Sequence, residues 1–145
     1  MNNRIYVATA ICLFLVSFTL PAFYVDGPEK DAWSSPVALF SLGWLGLALG
    51  YFSCVSWLAN PLFIWAVLLF LRNKKIAVLP AILAIVCAIS FLFARTIPLG
   101  ESGNEAKIEE YKAGYWLWLA SIILLAAGIL IQIFRRTPSE KPISN

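Results

Sequence analysis

Between Pro36 and Leu71 the chain runs for thirty-six residues without a charged side chain, and Arg72-Asn73-Lys74-Lys75 ends the run. As one straight helix at ~1.5 Å per residue it would be ~54 Å long. A bilayer core of ~30 Å takes about 20 residues. The run is therefore too long for one ordinary span and barely long enough for two, and how it is divided decides the topology.

The rest of the chain belongs to the same solvent. Of 145 residues, 61% are hydrophobic and 13% are charged, against the ~25% charged of an average soluble domain. These proportions identify an integral membrane protein of a single domain. The net charge of +3 sits in short patches beside apolar runs, which excludes a nucleic-acid footprint.

Ile5 to Phe23 reads as a first, retained helix, with Pro21 marking its exit. Residues 24–35 form a loop in which Asp26, Glu29, Lys30 and Asp31 sum to −2. Trp33 is placed to anchor the interface, and Ser35-Pro36 is a helix start, a capping hydroxyl before a proline at the first helical position. Ile76 to Ala94 is a further span. In the hydrophilic stretch 95–114, Ser102-Gly103-Asn104-Glu105 matches a capping box. The Ile108, Tyr111 and Tyr115 stripe beyond it predicts a short amphipathic helix that lies on the membrane surface or leads directly into the last span. Tyr115-Trp116-Leu117-Trp118 is an aromatic belt opening the last span, which Arg135-Arg136 stop. Thr137 to Asn145 reads as a short tail. Gly114 to Ser121 resembles the start of the last helix in small bacterial inner-membrane proteins, a likeness of eight residues that carries no function.

Charge decides between two arrangements. Four spans (about 5–23, 53–71, 76–94 and 115–134) put Arg4, the Arg72/Lys74/Lys75 patch and Arg135/Arg136 inside. The loops 24–35 and 95–114 and the apolar segment 36–51 then lie on the outer side. The fold expected is thus an all-α, four-helix transmembrane bundle with 36–51 as an interfacial helix or an extension of the second span. Five spans, with a hairpin turning near Ser53-Cys54-Val55-Ser56, is the alternative. The favoured reading places both termini in the cytoplasm of a bacterial inner membrane.

The chain has no histidine, no charge inside a span, no nucleotide-binding glycine motif and no paired cysteines among Cys12, Cys54 and Cys87. This inventory predicts a protein that is not an enzyme and uses no metal or cofactor. Two functions fit it. One is an interaction protein: an accessory subunit, assembly factor or inhibitor of another membrane component. Its contacts would fall on the small-residue face of Gly43, Gly46 and Gly50, on Trp57, Asn60 and Pro61, and on Tyr111, Tyr115, Trp116 and Trp118. The alternative is a homo-oligomeric channel or transporter for a small solute. Its path would run between subunits past Ser17, Thr19, Ser53, Ser56, Asn60, Ser90, Ser121 and Gln132.

Overall fold

A computed structural model of the chain describes residues 3–27, 34–72, 75–98 and 105–136. Trp33, Glu29, Lys30, Asp31, Lys74, the Ser102–Asn104 part of the expected capping box and the tail 137–145 lie outside the described residues.

Helix α1 (Asn3–Ser17) is shorter than the run that predicts it. The hydroxyls of Ser17 and Thr19 donate to the carbonyls of Phe14 and Val16 at 2.6 and 2.7 Å. Such local bonds compete with the helical ladder, and Pro21 supplies no N–H to prolong it. Phe23 therefore leaves the helix and enters strand β1 (Phe23–Val25). Helix α2 (Pro36–Ala48) begins as its sequence predicts, with Ser35 Oγ accepting from Ala38 N at 3.5 Å and Pro36 in the first turn.

The long uncharged run is divided at Gly50. Gly50 N donates to Leu47 O and Tyr51 N to Gly46 O, both at 3.0 Å, and Gly50 adopts φ +83°. This is a Schellman ending, in which a left-handed glycine turns the chain and satisfies the last carbonyls. A 3-10 segment (Phe52–Leu58) then runs back along α2 and passes directly into helix α3 (Ala59–Leu71). The reversal thus falls at Gly50, not at Ser53–Ser56, which are helical. Segment 36–51 is neither one long extension nor continuous with α3. It is the first arm of a hairpin.

Helix α4 (Val78–Ser90) follows a 3-10 turn at Lys75–Ala77, and helix α5 (Ala113–Arg136) closes the chain. Three helical stretches, Phe52–Leu71, Lys75–Phe93 and Ala113–Arg135, are each long and apolar enough to cross a membrane. α1 packs on α5 and α3, α3 on α4, and α4 on α5, so these four helices form a ring with α2 outside it. The ring is mostly helical and membrane-spanning, as its composition predicts.

Small residues hold the ring together. Ala77, Ala81, Ala84 and Ala88 are all at or below 1% exposure, while Leu79, Ile82, Leu83 and Val86 of the same helix point outward. Lipid tails are as apolar as leucine, so close backbone approach, not burial of large side chains, stabilises such contacts. α1 meets α5 in the same way: a Cβ on Gly128 would lie 2.7 Å from Tyr6 Cγ. Phe14 of α1 stacks on Phe63 of α3 with centroids 4.8 Å apart.

The stretch 95–114 departs from the helix expected there. β2 (Thr96–Pro98) and β3 (Glu105–Tyr111) pair antiparallel, β1 pairs with the other edge of β3, and the sheet order is β1-β3-β2. Ile108 and Tyr111 fit a helical stripe, but Ala106 and Ile108 also alternate with Lys107 and Glu109 at the strand period of two. Two partner strands resolve the ambiguity, since each supplies backbone bonds that an isolated surface helix lacks. Asp26 seals one margin, its Oδ1 accepting from Lys107 N at 2.8 Å, and Thr96 Oγ1 donates to Glu105 at 2.6 Å on the other. The all-α expectation is corrected accordingly: the bundle carries a small sheet, built from both connections at one end.

Candidate functional site

The sheet end of the ring and the α2 hairpin border an open-sided chamber of about 900 Å³. Each wall has a local origin. Gly43 and Gly46 allow the two hairpin arms to touch. A Cβ on Gly43 would lie 2.5 Å from Trp57 Cδ1, and one on Gly46 would lie 3.2 Å from Cys54 Cβ. The pairs 43/57 and 46/54 converge on Gly50, as an antiparallel hairpin requires. Trp57 Nε1 donates to Phe40 O at 2.8 Å and ties the open end of the hairpin. Phe40 in turn meets Phe18, beyond the end of α1, edge to face at 5.3 Å.

The opposite wall comes from the sheet and α5. Phe23 packs on Phe91, with centroids 5.3 Å apart, and Phe91 meets Tyr115 at 5.7 Å. Tyr115 OH donates to Ala88 O at 3.1 Å, which fixes the start of α5 against α4. Tyr111 OH donates to Phe91 O at 3.0 Å, and burial pushes this phenol above its ordinary value of 10.0. The neutral donor is thereby favoured where sheet and bundle join.

At the floor, Asn60 in the first turn of α3 reaches across to α5. Its Oδ1 accepts from Trp118 Nε1 at 2.9 Å. Among the described residues lining the chamber there is no Asp, Glu, Lys or Arg. Its polar groups are amide, indole and hydroxyl, set in apolar walls, which suits an uncharged guest with a small polar end.

Of the ten residues singled out from the sequence, Gly43, Gly46, Trp57, Asn60, Tyr115 and Trp118 converge on this chamber. Gly50 lies beyond α2 as its terminator, Tyr111 braces the sheet behind Phe91, and Pro61 and Trp116 face outward. The small-residue face of α2 is met by Trp57 and Cys54 of the same chain. Of the polar residues expected to line a path between subunits, Ser17, Thr19, Ser56, Ser90 and Ser121 turn their hydroxyls back to carbonyls of their own turns, as helical serines and threonines commonly do. Ser17, Ser53, Ser56 and Asn60 line the chamber.

Phe18, Leu39, Phe91 and Ile97 also form walls, and no sequence motif marks them. They come from separate segments that only the sheet and the hairpin bring together. No protein-family model, curated protein or solved structure matches the chain.

Proposed function

We propose that this chain is a membrane-embedded binding or carrier protein that admits a small amphiphile from the bilayer into the chamber beneath the α2 hairpin. The observation that carries this reading is the chamber itself, about 900 Å³ and, among the described residues, lined without a charged one. Such a space takes up an apolar body readily, and burying a charged one there would be costly. Ser17, Ser53, Ser56 and Asn60 give it weak polarity within one chain, so no path between subunits is needed.

In this reading α1 is the fourth span, both termini are cytoplasmic, and the sheet and hairpin stand on the outer side of a bacterial inner membrane. The arrangement keeps Arg4, Arg72, Lys75 and Arg135 on the inner side. The work is binding and passage, with no catalytic step. A role as accessory subunit or inhibitor is the second reading, favoured by one observation. Helix α2 has no buried residue and turns Val37 and Trp44 outward, a surface that a partner helix or lipid must cover.

Native mass spectrometry of the chain released from its own membrane tests the proposal. The wild type is expected to retain a stoichiometric amphiphile. Ala38 lines the chamber from the open side of α2, and Ala38→Trp should obstruct that side and weaken retention of the guest without lowering stability. A bare wild-type chain, or the same guest equally retained on the folded Ala38→Trp variant, would contradict it.

A further inference from the structure

Among the described residues of the lining, Asn60 keeps one end of its carboxamide without a hydrogen-bond partner. Trp118 Nε1 can only donate, so the Asn60 atom facing it at 2.9 Å is the amide oxygen, and this fixes the orientation of the whole carboxamide. The nitrogen, with its two N–H groups, is turned the other way. Among the described residues it has no acceptor, although Asn60 is only 7% exposed. No fully enclosed side-chain nitrogen or oxygen among those residues lacks a partner. The Asn60 nitrogen is therefore not sealed in the core, and the space it meets is the chamber whose wall Asn60 forms.

A donor in apolar surroundings is costly to leave without an acceptor. We propose that the Asn60 amide nitrogen donates to an uncharged carbonyl oxygen at the polar end of the guest, with Trp118 as the positioning residue that aims it. The inference rests on the binding reading above and names the chemical class of the guest. Among the described lining residues a carboxylate or phosphate oxygen would find no cation, and without one it would be stranded as a buried charge. A hydroxyl would need an acceptor for its own proton as well as a donor. The donated hydrogens of Tyr115 and Trp57 are already spent on Ala88 O and Phe40 O, which leaves the Asn60 N–H groups as the donors an accepting oxygen would meet. A carbonyl only accepts, and so it matches what Asn60 offers. Its source is either the ester of a membrane lipid or a separate neutral carbonyl compound such as a quinone.

The test follows the Asn60 side-chain amide by nitrogen-edited NMR of the full chain in nanodiscs. The signal is identified by its contact with the Trp118 indole proton, so the assignment needs no variant. Three preparations are compared: diester phosphatidylcholine, the diether analogue that lacks carbonyls, and the diether analogue with a decyl-substituted benzoquinone. A downfield amide proton in the diester disc, absent in the diether disc, identifies the lipid ester as the source. A downfield move only when the quinone is added identifies a free carbonyl compound. Either supports the proposal. An amide signal that is the same in all three, with a guest retained by mass, overturns the carbonyl assignment and leaves the binding reading standing. No guest in any preparation overturns both.

Discussion

Replacing Gly114 by alanine should unfold the sheet end of the protein, lowering stability by about 3 kcal/mol, at the upper end of what overpacking costs. Gly114 is the point where the exit of α1 lies directly on the start of α5. A Cβ there would lie 2.7 Å from Pro21 O and closer still to Leu20 O. Both obstacles are backbone atoms, so no side chain can swing aside. The same crossing carries the bonds Gly114 N to Pro21 O at 3.0 Å and Lys112 N to Ala22 O at 2.9 Å. Forcing the strands apart loses these and the pairing of β1 with β3. Gly50→Ala is the control. Its Cβ would meet nothing within 4 Å, so only the strain of φ +83° remains, about 1 kcal/mol. Denaturant titration in mixed micelles compares the two, and equal midpoints would refute the close crossing.

The second large effect belongs to the alanine seam. Ala84 is fully buried between α4 and its neighbours, and Ala84→Leu adds three carbons where the helices touch. The expected loss is about 1–3 kcal/mol, with helix separation as its cause. Val86→Leu makes a smaller enlargement on the outward face, where Val86 is 59% exposed, and should leave the midpoint unchanged. If Ala84→Leu proved as silent as Val86→Leu, α4 would not pack as described.

The seam is legible in the sequence: alanines at 77, 81, 84 and 88 recur at helical spacing, and small residues at that spacing mark helix contacts. The start of α2 at Ser35-Pro36 and the break after Leu71 are legible for similar reasons, each resting on a local signal. The sheet is not. Its outer strands have three residues each, and β1 is joined to β3 across some eighty positions. Glu105 to Tyr111 fits either period until its partners are present. The division of the uncharged run was also hidden, because a run apolar on every face has no periodicity to read. Gly50 decides it, and among Gly43, Gly46 and Gly50 nothing local distinguishes the turn former from the two that face a neighbour. Asn60 and Trp118 were recognisable as candidates from polarity and aromatic character alone. That they meet required the bundle.

The chamber exists only if α2 folds back on the 3-10 segment, and one cross-link tests that fold directly. Gly46→Cys places a thiol against the native Cys54, whose Cβ lies 3.2 Å from the position the new Cβ would take. That is slightly inside the ~3.5–4.5 Å of a disulfide, so the two arms need part by only a few tenths of an ångström to be joined. Oxidation in native membranes should join residues 46 and 54 within one chain, seen by peptide mass after digestion. A variant that stays reduced there, or pairs instead with Cys12, Cys87 or a second copy of itself, would contradict the hairpin and the chamber with it.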